Sequence, residues 1–168
     1  ASEIFDAAAV LRAIEEDLAA DGAAADDPRA RRAIVVRHLA EARRRGNSRL
    51  RAAFDDAPLA GRALVLSQSC LTDGLVRTAF DCVLGHFHPL PNPTTAERLA
   101  LVAVGGYGRA EMAPHSDVDL LFLCPWKVTP WSENVTETML YILCDLKLKV
   151  GHAVRTVDDC LRLAREDM

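Results

Sequence analysis

The stretch Val104-Gly105-Gly106-Tyr107-Gly108-Arg109, followed by Ser116-Asp117-Val118-Asp119-Leu120, limits the possible folds of this chain more than any other. An apolar run, Leu99 to Val104, leads straight into the double glycine. A second apolar run, Leu120 to Leu123, departs from the aspartate pair. The pattern reads as a buried strand, a turn tight enough to need glycine, a short connection and a second strand. Side chains alternate along a strand, so Asp117 and Asp119 project from one face. Carboxylates set side by side suit hard cations. Incomplete protein coordination suits magnesium, with substrate phosphates filling the remaining positions.

Gly105 and Gly106 allow backbone N–H groups to approach a triphosphate closely. Arg109 adds a charged fork beside them. The chemistry this arrangement serves is metal-assisted displacement at phosphorus. A D-x-D pair by itself is commonly a solvated or capping pair, and a lone Gly-Gly says less still. The ordered combination of strand, Gly-Gly, basic residue and S-D-x-D opening a second strand is far more specific. It is neither G-x-x-x-x-G-K-[ST] nor G-x-G-x-x-G, so a P-loop and a dinucleotide fingerprint are both excluded.

The run G-G-Y-G-R-x-E-x-x-P-x-S-D-x-D-L-L resembles the nucleotidyltransferase superfamily that includes DNA polymerase β. Within it, the run is most similar to the amino-terminal catalytic domain of the bacterial PII uridylyltransferase/uridylyl-removing family. A second block, Asp145 to Thr156, matches that family's D-x-x-L-x-V-G-H-x-V-R-T. A softer match is Ser69-Cys70-Leu71-Thr72-Asp73. The resemblance covers about residues 60 to 168, and the preceding segment is compatible with it.

The resemblance implies an α/β (α+β) fold, a nucleotidyltransferase-type mixed sheet flanked by helices and preceded by a helical section. It implies transfer of UMP from UTP to a tyrosine hydroxyl of the PII signalling protein, with release of pyrophosphate. Asp117 and Asp119 would hold Mg2+, and Gly105 and Gly106 would contact phosphates through their backbone. Arg109, Ser116, His152 and Arg155 are further nucleotide-binding candidates, the last two equally readable as plain strand residues. In that family UMP removal belongs to a separate hydrolytic domain and glutamine sensing to further domains, none of them within this chain. The superfamily also uses a third carboxylate. The strand carrying His152, Val154 and Arg155 offers none, and Asp158 and Asp159 look like helix caps. The third acid is expected beyond Met168, the chain reads as an excised piece beginning at Ala1, and the piece alone is expected to be nearly inactive. Rival expectations are adenylyl transfer to a protein or small molecule, and a non-catalytic nucleotide-binding regulatory module.

Composition narrows the partners. A formal charge of −4 argues against a polybasic DNA- or RNA-binding protein. No apolar run approaches the length of a membrane span. The five cysteines are odd in number and form no C-x-x-C, which suggests buried free thiols and a cytoplasmic protein. Cys82, His86 and His88 fit no standard zinc spacing.

In chain order, residues 3–19 read as an amphipathic helix capped by Ser2, with Ile4, Leu11, Ile14 and Leu18 inward. Asp21 to Asp27 reads as a linker. Asp27-Pro28 starts a second helix ending near Gly46, with an arginine-rich outer face that is either a solvated surface or a docking site for an acidic partner or nucleotide. Residues 48–57 suggest a short separate helix stopped by Pro58. The longest helical pattern runs from about Leu59 to Phe87, weakened at Gly74 by about 1 kcal/mol relative to alanine. Pro89, Pro91 and Pro93 then divide a helical section, 1–93, from a core, 94–168, whose elements alternate β-α-β-α-β-α. In that core Ser132 is expected to cap a helix, His152 to Val157 to form a strand and Asp158 to Asp167 a last helix.

Overall fold

A computed structural model describes residues 4–22 and 26–166. Helix α1 (Ala7–Ala20) is capped by Asp6, whose carboxylate accepts from the Ala9 N–H at 3.0 Å. The predicted cap, Ser2, lies outside the described residues. Ile14 is fully buried on its inner face, with Leu11 and Leu18 packed beside the core.

Helix α2 (Pro28–Asp56) begins as the sequence suggests, with Asp27 accepting from Arg29 N–H and Pro28 in the first turn. It does not end near Gly46. One helix of 29 residues replaces the two expected. The reason is tertiary: Gly46 is buried against the branched end of Leu71, where a Cβ would overlap it. The close approach of α2 and α3 offsets glycine's poor helix propensity. No proline intervenes before Pro58.

Helix α3 (Gly61–Cys82) runs into a π-helical turn (Val83–Phe87). Its inner face is Leu71, Leu75, Val76, Ala79 and Cys82. Close packing at Gly74 accompanies its weak helix propensity: the Phe5 ring lies where a Cβ would stand.

The sheet follows. Strand β1 (Ala100–Ala103) leads into a single helical turn, α4 (Gly105–Gly108). Strand β2 (Val118–Cys124), helix α5 (Pro130–Asp145), strand β3 (Val150–Thr156) and helix α6 (Val157–Glu166) complete the chain. The cap of α5 is Thr129, not Ser132. Ser132 is the third helical residue and closes the box by accepting from Thr129 N–H at 2.9 Å. The sheet order is β1-β2-β3, with β1 antiparallel and β3 parallel to the central β2.

Burial alternates strictly along β2. Val118, Leu120, Phe122 and Cys124 face the helices and are essentially inaccessible. Val118, Leu120 and Phe122 join Ile14, Val35 and Leu39, residues of α3, and Val135, Met139, Ile142 and Leu143 of α5 in one apolar cluster. The helical section and the sheet therefore share a core. The opposite face of β2 carries Asp119, Leu121 and Leu123, all only half-buried.

Candidate active site

Asp119 is the second residue of β2, and the local fold is arranged around its carboxylate. The Val104 N–H donates to the Asp119 carbonyl at 3.0 Å, which joins the end of β1 to the start of β2. The chain then turns through Gly105, whose φ of +60° favours glycine. A Cβ at Gly105 would stand 2.7 Å from Asp119 Oδ2. On the other side Gly151 pairs with Asp119 in the β2–β3 register, and a Cβ there would collide with Oδ1. One carboxylate thus lies between two glycines, each of which leaves room for one of its oxygens.

Asp117 stands just ahead of β2, exposed, on the side of the strand that alternation assigns to Asp119. Neither carboxylate has a hydrogen-bond or ion-pair partner among the described residues. Two unpaired carboxylates on one side of a strand, with side chains cleared away from one of them, form a donor set that fits a hard cation. No third His, Cys, Asp or Glu gathers with them among the described residues.

The glycine turn is anchored from behind. Tyr107 is buried, and its hydroxyl donates to Asp73 Oδ1 on α3 at 2.8 Å. Burial, and then the neighbouring carboxylate, push the phenol well above its ordinary pKa, so it remains a donor. This tie gives Asp73 a role that its softly matching motif did not reveal. Gly151 also escaped the sequence reading. A glycine inside a strand often marks close approach by another group, and that was the available signal.

The other candidates are distributed unevenly. Gly105 and Gly106 adjoin the pair through the turn. Arg109 is exposed, and its Nε donates to Glu111 at 2.8 Å. Ser116 uses its hydroxyl to accept from Ala113 N–H at 3.0 Å, closing the turn before Asp117. His152 pairs with Leu120, which puts it on the opposite face of the sheet from Asp119. Arg155 shares the Asp119 face but lies four residues past Gly151, about 13 Å along the strand. The structure therefore brings Asp119 together with Gly105 and Gly151, and Asp117 precedes β2 by one residue. It leaves His152 and Arg155 apart from them.

Cys82, His86 and His88 form no metal cluster. Cys82 is fully buried, and burial, with Asp81 and Glu15 nearby, pushes its thiol up to about 12. His88 bonds Thr138 Oγ1 at 2.8 Å through Nε2, and its carbonyl accepts from Trp131 Nε1.

A three-stranded mixed sheet backed by helices, with Asp119 set against a glycine turn, is consistent with a nucleotidyltransferase-like α/β domain. The sequence comparisons sharpen this. Over 167 residues, 99% of its length, the chain is 57% identical to a bifunctional uridylyltransferase/uridylyl-removing enzyme of Cereibacter sphaeroides. Over 164 residues it is 49% identical to the enzyme of the same name from Ruegeria pomeroyi, and over 137 residues 50% identical to that of Azospirillum brasilense. The chain is thus a homologue of one region of these bifunctional enzymes. It spans 15 to 18% of their length. No family model matches the chain, and no solved structure does.

Proposed function

We propose that this chain supplies the phosphate- and metal-binding half of a uridylyl-transfer site. The donor is UTP, the acceptor is a tyrosine hydroxyl of the PII signalling protein, and the product released is pyrophosphate. The observation carrying this reading is the Asp119 carboxylate, unpartnered and flanked by Gly105 and Gly151, with Asp117 two residues ahead of it in the chain. Mg2+ held there would neutralise charge on the triphosphate and lower the barrier to displacement at the α-phosphorus. Asp117 and Asp119 hold the cation on one side of the strand. The backbone at Gly105 and Gly106 admits the phosphates without side-chain obstruction. Tyr107 fixes the turn against α3, so the donors are positioned before the nucleotide arrives. For Arg109 to reach a phosphate, its surface pair with Glu111 has to open, at little cost for so exposed a pair.

With two carboxylates and an open sheet face, the chain alone is expected to bind Mg·UTP weakly and to transfer UMP to PII at a rate near background. The test is calorimetric titration of the chain with UTP and with ATP in magnesium, repeated on Asp117→Asn and Asp119→Asn. Tighter binding of UTP than of ATP, lost in both variants, is the expected result. Preference for ATP would sink the uridylyl assignment. Binding that survives both substitutions would sink the metal site.

A further inference from the structure

On the helix side of the sheet, behind the aspartates, lies a second concavity of about 110 Å³. Its floor is apolar: Leu71, Leu75, Met112 and Val118. Its rim is basic, formed by Arg43, His115, Lys147 and Lys149, and no acidic residue lines it. The nearest acid in the adjoining groove, Asp145, is already paired with Arg32 at 3.1 Å. Lys147, Lys149 and His115 have no side-chain hydrogen-bond or ion-pair partner among the described residues. Arg43 is held by donating to the Leu146 carbonyl at 2.6 Å, which fixes its guanidinium at the rim.

Like charges are gathered here in a chain whose net charge is −4, and bringing them together is unfavourable without a counter-charge. The backbone adds a second cost at the same place. Three described non-glycine residues, Ala110, His115 and Lys147, have left-handed φ, and the latter two line this cleft. Lys147 follows α5 at the position that usually holds glycine: its N–H bonds the Cys144 carbonyl and the Leu148 N–H bonds that of Leu143. Glycine would relieve that position, yet a lysine occupies it with its side chain on the cleft. Strain of this kind, retained where charges converge, points toward binding.

We propose that this cleft binds a small, multiply charged oxyanion. The ligand is of phosphate size, matched to a concavity of about 110 Å³. Arg43 and the two lysines would neutralise the charge, and the Thr72 and Ser116 segments would form the wall. The site is separate from the aspartate pair, because Val118, between Asp117 and Asp119, points to this side while Asp119 points to the other. It still borders the site, since Ser116 immediately precedes Asp117.

The test uses inorganic phosphate on the 168-residue chain, without divalent metal, against chloride at matched ionic strength. The readouts are melting temperature and calorimetric titration. Phosphate is expected to raise the melting temperature of the native chain and of Asp117→Asn alike. Lys147→Gly keeps the turn, so its melting temperature in chloride is expected to be unchanged or higher, while its phosphate response falls by more than half. Lys149→Gln is expected to lose a similar share, and Lys127→Gln, on the distant loop after β2, to lose none. No phosphate-specific rise in the native chain overturns the proposal, as does an equal loss in Lys127→Gln or a full response in Lys147→Gly. Loss of the response in Asp117→Asn would assign the phosphate to the aspartate site and overturn it too.

Discussion

The two faces of strand β2 divide the molecule's work between them. Val118, Leu120 and Phe122 pack in one cluster with residues of α3 and α5, and Cys124 on the same face is likewise closed to solvent. Asp119, Leu121 and Leu123, from the same seven residues, face the other way and stay half-exposed. One side has apolar neighbours everywhere and tolerates no loss of volume. The other holds a carboxylate with no protein partner and two glycines clearing space for it. Because the side-chain period is two, core positions and the proposed binding positions are interleaved residue by residue. Substitutions one position apart in kind should therefore have effects that scarcely overlap.

The largest separation should appear between Phe122→Ala and Asp119→Asn. Phe122 is fully buried at the centre of the shared core, so truncation should cost about 3–5 kcal/mol. A loss of that size is a large fraction of a domain's stability, and chemical denaturation should show a chain close to unfolding. Asp119→Asn should leave the denaturation midpoint almost unmoved, because the carboxylate gives up no protein contact, yet abolish Mg·UTP binding. Comparable destabilisation by both would break the division between the faces.

Much of this division is legible in the sequence. Alternation through Asp117-Val118-Asp119-Leu120 assigns faces without any tertiary information, and the glycines mark the turn. The motif resemblance is matched by homologous enzymes over nearly the full chain. What was not legible depends on partners distant in sequence. Gly46 reads as a helix end until Leu71 is seen packed on it. Ser132 reads as a cap until Pro130, already inside the helix, moves the cap to Thr129. Gly151 reads as one residue of the Asp145–Thr156 motif until the Asp119 oxygen is found over it. His152, chosen from that same motif, falls on the wrong side of the sheet because register, not spacing along one strand, decides which face meets Asp119.

A finer cut compares the two glycines beside that carboxylate. Gly151 sits in an ordinary strand conformation, so Gly151→Ala adds only the collision with Oδ1, which a rotation of Asp119 relieves. The melting temperature should hardly change, while magnesium affinity should fall on the order of tenfold or more, as when a metal ligand's support is removed. Gly105→Ala meets the same carboxylate from the other side and also forces φ of +60° on a residue with a Cβ. That adds about 1–2 kcal/mol of destabilisation. If the two variants lose stability equally, the positive φ is not what distinguishes them. If Gly151→Ala keeps native metal affinity, the Asp119 orientation does not matter.

The smallest effect concerns the connection that joins the two faces. Tyr107 is buried on the helix side, yet it belongs to the turn that carries Gly105 and Gly106 on the aspartate side. Its hydroxyl bond to Asp73 is the tie between them. Tyr107→Phe keeps the ring and deletes the bond, and Asp73, being exposed, regains water. The cost should be that of one ordinary hydrogen bond, about 0.5–1.5 kcal/mol. At about 2–4 °C per kcal/mol for a chain of this size, the melting temperature should drop by only a few degrees. The turn should also lose some fixity, so UTP affinity should fall, though by less than in Gly151→Ala, where the ligand itself is displaced. A lower melting temperature with unchanged UTP affinity would confine Tyr107 to the core. A UTP loss exceeding that of Gly151→Ala would mean that anchoring the glycine turn matters more than clearing space for the carboxylate.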